Sequence, residues 1–252
     1  MSTLLLRLSG PMQSWGTDSR FELRFTGTEP SKSGVIGLLC AALGKPREEQ
    51  LGDSAPTLAR LSGLRMGVRI ERPGRLLADY QTAGSYRRSA DAQRYGIVNA
   101  LGRILPNPVP STRYYLADAC FLVGLSGKDE PDDEALLRQL FDALVQPVWQ
   151  IYLGRKAFVP SEPVFLPDAS PGTRWWQSSL EDALRYPGGY PWIGGRGTAG
   201  GDTADGQEQH PPGELRAVIE SESSQDAELR QDVPLDFATR RFGVRFVRNL
   251  PA

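Results

Sequence analysis

The order in which strand-like and helix-like segments follow one another constrains this chain most. "TLLLRLS" (3–9) is a short apolar run interrupted by Arg7 and reads as a strand. "PSKSGVIGLLCAALGK" reads as a helix that Ser31 or Ser33 caps, Val35 to Leu43 fill and Gly44 stops. "LRMGVRIE" (64–71) alternates apolar and basic residues at the strand period, and "YYLADACFLVGL" (114–125) is a second strong strand. "PDDEALLRQLFDALVQP" then gives a helix with Pro131 near its first turn and acidic residues at its positive end. "PVWQIYLG" after it is a candidate for one more strand. Strand, helix, strand, strand, helix is the split βαβ order, so the expected fold class is α+β with a ferredoxin-like (RRM-like) domain.

Two features exceed a minimal version of that fold. Residues 76–113 separate the second and third strands by far more than a hairpin turn needs, which marks a functional insertion. Beyond about residue 165 come further strand candidates, "LRAVIES" (215–221) and "RRFGVRFV" (240–247), divided from the rest by a Gly-rich, flexible loop at 194–213. The expected organisation is therefore a ferredoxin-like domain over 1–165 and a small C-terminal β region over 166–252.

Composition closes off several function classes. Apolar residues at 40% and charged residues at 23% are ordinary for a soluble globular chain, and no apolar run approaches the length of a membrane span. Cys40 and Cys120 sit in apolar runs without metal-site spacing, which fits buried free thiols in a reducing cytoplasm. The single histidine, His210, lies in the Gly-rich loop, so histidine-based catalysis is disfavoured. No catalytic residue, metal ligand or cofactor site is expected.

The net charge of −1 conceals a strong asymmetry. From Arg60 to Tyr115 there are ten arginines against three carboxylates and no lysine, whereas from Gly200 to Asp236 ten carboxylates face two arginines. Such polarity suggests that one face meets an anion while another meets solvent or a basic neighbour. Arginine's planar fork suits phosphate, and Tyr80, Tyr86, Tyr95, Tyr114 and Tyr115 lie among the arginines as single-stranded RNA recognition requires. The same pattern also fits a solvated strand face with half-buried tyrosines. "SKSG" (31–34) joins Lys32 and two hydroxyls to a helix start, and "LGRKAF" (153–158) presents Arg155 and Lys156 at a glycine bend. "GPMQSWG" (10–16) leaves the first strand with Gln13 and Ser14 able to bond a base or phosphate. Its Trp15 can stack on a base or wedge into the core.

"LRLSGPMQSWG", "PSKSGVIGLLCAALG", "DYQTAG" (79–84), "YYLADACFLVGL", "LGRKAFVPSEP" and "FATRRFGVRFV", in this order, resemble the CasD family, the subtype I-E CRISPR Cascade subunit of the repeat-associated mysterious protein superfamily. The resemblance implies a β-hairpin "thumb" within about 76–113 on the ferredoxin-like domain. It further implies a cytoplasmic, non-catalytic antiviral-defence subunit that holds the 5′ handle of crRNA. The partners it implies are the Cascade backbone subunit next to the handle, the large subunit and, indirectly, target DNA, with no membrane. The RNA-binding residues it points to are Gln13, Ser14, Trp15, Lys32, Ser33, Tyr80, Gln81, Arg87, Arg88, Arg103, Arg113, Arg155 and Lys156. A metal-independent endoribonuclease that processes repeat RNA, as in a related subtype, is the alternative. "RWWQ" and "YPWIGG", with Trp175, Trp176 and Trp192, suit either protein contacts or packing beneath the C-terminal strands.

Overall fold

The computed structural model describes residues 2–16, 19–20, 22–48, 55–84, 96–99, 101–105, 107–128, 131–166, 177–185 and 216–250. Strand β1 (Thr3–Ser9) is buried at every position. Its side chains alternate between two apolar layers, Leu4, Leu6 and Leu8 facing one cluster and Leu5 the other. A strand covered on both faces has no polar side to show, which explains the unbroken "LLL". Helices α1 (Lys32–Leu43) and α3 (Asp133–Val145) supply Val35, Ile36, Leu39, Leu137 and Leu140 to the larger cluster. Helix α4 (Leu180–Arg185) supplies Leu180, Ala183 and Leu184 to the smaller one.

Both long helices follow the local grammar of the sequence. Ser31 Oγ accepts from the Gly34 amide at the start of α1, and Gly44, at φ 70°, ends it in the left-handed region that glycine adopts at no steric cost. Helix α2 (Leu58–Gly63) then leads into β5 (Arg65–Arg72). Strand β10 (Cys120–Ser126) lies between β1 and β5 and is antiparallel to both, so β1 and β5 run parallel. Gly67 and Gly124 face each other in that ladder. A Cβ on either would stand 2.4 or 2.5 Å from Leu184 or Leu180, so the two glycines let α4 settle directly onto the sheet.

Three C-terminal strands extend the same sheet. β11 (Ala217–Ser221) pairs with β5, β13 (Arg241–Leu250) with β11, and β12 (Glu228–Asp236) closes the order β1-β10-β5-β11-β13-β12. The N-terminal helix is tied to these strands by buried charge. Lys32 Nζ lies 2.9 Å from both Glu220 carboxylate oxygens, the Lys32 amide donates to Asp232 at 2.7 Å, and Arg245 grips Asp232 at 2.6 and 2.9 Å.

The apolar stretch 114–125 differs from the single strand expected. Asp118, at φ 56°, turns a corner that splits it into β9 (Val109–Ala117) and β10. Aspartate tolerates this conformation, and the Asp118 amide donates to the Pro11 carbonyl at 3.2 Å. The hydrophobic pattern does not register a two-residue corner between apolar strands. β9 instead organises a second sheet with β2 (Met12–Gln13), β3 (Ser19–Arg20), β4 (Leu23–Arg24) and β6 (Arg75–Ala83). β6 and β9 pair antiparallel from Arg75–Ala117 to Ala83–Val109, and β6 is exposed along its whole length. Between them β7 (Ile97–Val98) and β8 (Ile104–Leu105) form a small hairpin.

"PVWQIYLG" is not a strand. The Val148 and Trp149 amides instead donate to the Ala42 and Ala41 carbonyls at 2.9 and 3.1 Å, satisfying the end of α1. The outer edge of β1 is met further on, where Leu6 bridges Phe165 and the Arg7 amide donates to Val164 O at 2.7 Å. Cys40 and Cys120 are both free and buried. Among the described residues no helix is long and apolar enough to cross a membrane. His210, Trp175, Trp176, Trp192 and the Gly-rich loop lie outside the described residues.

Candidate nucleic-acid interface

The segment after β1 joins several parts of the site through hydrogen bonds. Gln13 is fully buried, its Nε2 donating to the carbonyls of Leu8 at 2.9 Å and Ala119 at 2.8 Å, while its Oε1 accepts from the Trp15 indole at 3.1 Å. Trp15 is 1% exposed and packs against the first turn of α1, where a Cβ on Gly34 would come within 2.8 Å of its ring. Gln13 and Trp15 therefore spend their polar and aromatic groups inside the protein, which corrects the expectation that they meet RNA directly. Ser14 is also buried, its hydroxyl donating to the Tyr114 carbonyl at 3.3 Å and its amide to Leu153 O at 3.1 Å. What the polar residues of "GPMQSWG" do in this structure is fasten β9, the turn at 153–158 and the start of α1 around one point.

That turn is set by Gly154. Its φ is 95°, and a Cβ there would stand 1.9 Å from the Ser14 carbonyl oxygen. The close approach places Arg155 over the Phe158 ring, 5.8 Å from its centroid, with its guanidinium donating to the Arg24 carbonyl at 3.0 Å. Lys156, next along, is exposed.

Three guanidinium groups converge here. The ladder registers put Arg24 of β4 beside Arg113 of β9, on the face that also carries Ser111, Gln81 and Asp79. Burial comes first, then the charges of Arg113 and Arg24, in holding the Arg155 guanidinium below its ordinary pKa; Asp79 acts in the opposite sense. A cluster of like charges with one carboxylate nearby is electrostatically incomplete and suits a polyanion. The opposite face of the same ribbon is aromatic and apolar. Phe25 stacks on Tyr114 with ring centroids 5.1 Å apart, Tyr80 is 70% exposed, and Leu76 is also exposed.

The structure thus brings Tyr80, Gln81, Arg113, Arg155 and Lys156 onto the ribbon and the turn beside it, whereas Ser14 lies buried between the two with its hydroxyl spent on the Tyr114 carbonyl, which corrects the expectation that it bonds RNA. Ser33 is half-buried on the first turn of α1, its hydroxyl 3.4 Å from that of Ser31. Lys32 is turned inward, 2% exposed and paired with Glu220, so the expected phosphate contact through its ammonium is corrected to a structural ion pair. Arg103 is exposed on the β7–β8 turn. Arg87 and Arg88 lie outside the described residues.

The family model for CRISPR-associated protein (Cas_Cas5) matches residues 3–248, nearly the full chain. The chain belongs to this family. It is 31% identical over 165 residues to the CRISPR system Cascade subunit CasD of Escherichia coli (strain K12), covering 66% of this chain and 70% of that protein. Its structure resembles a chain of a CRISPR RNA-guided surveillance complex, with a TM-score of 0.70 and 32% identity over 99% of this chain and 90% of that one. A crystal structure of a Cas protein is similar as well, with a TM-score of 0.64 and 39% identity over 99% of this chain and 95% of that one.

Arg24 was missed in the sequence. Its only local signal is the alternation of charged and apolar residues in "FELRF", which looks like any exposed strand. Its proximity to Arg113 is a product of parallel pairing between β4 and β9, separated by some ninety positions of chain.

Proposed function

We propose that this family member is a non-catalytic subunit of a Cascade surveillance complex and holds the 5′ handle of CRISPR RNA against the β6–β9 ribbon. On this reading the ribbon is the thumb of a ferredoxin-like domain built on β1, β10 and β5. The convergence of Arg24, Arg113 and Arg155 on one ribbon face carries the proposal: three permanent cations with a single nearby carboxylate form a seat for successive phosphates. Gln81 and Ser111 border that seat, and Tyr80 offers a ring to an unstacked base. Lys156, next to Arg155 in the chain, adds an exposed cation beside the seat, and Arg103 on the β7–β8 turn offers a separate one. The relatives named as a Cascade subunit and as part of an RNA-guided surveillance complex support the assembly half of the reading. In it, the backbone subunit next to the handle and the large subunit are direct neighbours, target DNA is reached through them, and the setting is the cytoplasm.

The charged groups of the seat also favour binding over cleavage. Arginine keeps its proton near neutral pH and so provides electrostatic stabilisation without a general base.

The test is a binding titration of handle RNA across a salt series. Arg113→Ala and Arg155→Ala should each weaken binding by about 1–3 kcal/mol and flatten the salt dependence. Unchanged affinity and slope in both variants would overturn the assignment of the seat. In parallel, repeat RNA incubated with the protein in EDTA should stay intact; discrete cut products would replace the non-catalytic reading by the endoribonuclease.

A further inference from the structure

The strongest feature that RNA binding leaves unused is acidic. A cleft of about 510 Å³ lies between the segment Gly27–Ser31 and residues 228–232 of β12. β12 ends the six-stranded sheet, so among the described residues no strand pairs with its outer edge. Near its far end the edge is covered, Ser62 Oγ donating to the Pro234 carbonyl at 2.7 Å. At residues 228–232 the cleft opens in its place.

The charges around this cleft do not balance. Glu29, Glu228 and Asp232 line it against the single cation Arg230. Asp232 is committed to Arg245 and to the Lys32 amide. Arg230 is divided between Glu29 and Glu228, the latter at 3.3 Å. The Glu29 side chain is 4% exposed; one oxygen receives Arg230, and the other is buried without a hydrogen-bond partner among the described residues. A buried carboxylate oxygen left unpaired is unfavourable, and a donor supplied from outside would remove the penalty. Beside it Leu229, 58% exposed, and Phe242 give an apolar wall. A phosphate backbone would add negative charge to negative charge here, so nucleic acid is a poor occupant.

We infer that this cleft docks an extended, basic segment of a neighbouring polypeptide, laid along the free edge of β12. A lysine or arginine of that segment donates to Glu29, and an adjacent apolar side chain packs on Leu229 and Phe242. Strand addition supplies backbone hydrogen bonds, and the pocket supplies the preference for a cation. The inference rests on the assembly half of the proposed function and not on its RNA half.

The experiment uses the full chain co-assembled with its partner subunits and carrying a photoreactive residue at Gln231. Cross-links should fall on one contiguous partner segment that contains lysine or arginine. Glu29→Gln and, at an exposed position on the cleft rim, Glu228→Lys should each cut the cross-link yield about tenfold, the scale expected when a close charge pair loses one member. RNA retention should be unchanged in both. Cross-links on RNA, on an acidic or neutral segment or on this chain itself would overturn the inference, as would no protein adduct at all. The two readings fail separately. An Arg113→Ala/Arg155→Ala chain that loses RNA yet keeps the cross-link leaves the cleft assignment standing. A parent chain that holds RNA without a partner adduct at 231 removes the cleft assignment alone.

Discussion

Arg155 holds its charge beside two other guanidinium groups, an arrangement that folding by itself does not reward. Asp79 offsets the repulsion among Arg24, Arg113 and Arg155 only in part and an arriving anion would relieve the rest, so function and stability should separate at this residue. Arg155→Ala is expected to weaken handle RNA binding by about 1–3 kcal/mol while its thermal midpoint stays near that of the parent. A drop of many degrees in a melting scan would show that the cluster is structural. Gly154 behaves in the reverse way. Gly154→Ala forces a Cβ into the Ser14 carbonyl at a left-handed φ, and it should cost at least about 2 kcal/mol in denaturant unfolding. RNA affinity should fall with it, because the turn that presents Arg155 is displaced.

At the scale of elements, the bond between α1 and the C-terminal strands governs the response to acid. Burial raises the Asp232 pKa, but the hydrogen bonds and charge of Arg245 and the Lys32 amide outweigh it and hold the carboxyl below its usual range. The unfolded chain therefore binds this proton more readily than the folded one. The stabilisation is complete above an ordinary aspartate pKa of about 4 and is lost as pH falls through the depressed folded value. Urea unfolding followed down through pH 4 should show Asp232→Asn losing less stability than the parent over that window. Lys32→Ala should cost about 3 kcal/mol, since Glu220 loses its ammonium partner and keeps only the Met66 amide at 3.0 Å and the Arg245 guanidinium at 4.0 Å, and a Lys32→Met/Glu220→Leu pair should recover much of that loss. These elements were unequally legible in the sequence. The Ser31 cap, the Gly44 stop and the strands at 3–9 and 65–72 follow from local chemistry, and the sequence shows them within a residue or two. The corner at Asp118 and the pairing of Arg24 with Arg113 depend on contacts from distant parts of the chain, which periodicity does not encode. Lys32 shows the limit most clearly. A lysine at a capped helix start has the form of a phosphate site, and only Glu220, 188 positions away, makes it an internal ion pair.

Across the whole molecule, the C-terminal strands are structurally continuous with the N-terminal half. β11 pairs with β5, and Ile219 and Ala217 complete the layer under α4. A chain ending at residue 215 would expose the β5 edge and leave Lys32 buried without Glu220 and Asp232. It should be recovered as insoluble or partly folded material, read by size-exclusion chromatography and near-ultraviolet circular dichroism; a soluble truncation with the parent's near-ultraviolet spectrum would contradict this continuity.

The corner at Asp118 has a mechanical meaning. It joins the outer ribbon to β10, an interior strand of the main sheet that is bonded along both flanks. Tension applied to the ribbon by a tethered strand thus enters the fold along the axis of β10. There it is resisted by two ladders loaded together in shear, where a peripheral attachment would have let the bonds peel away one after another.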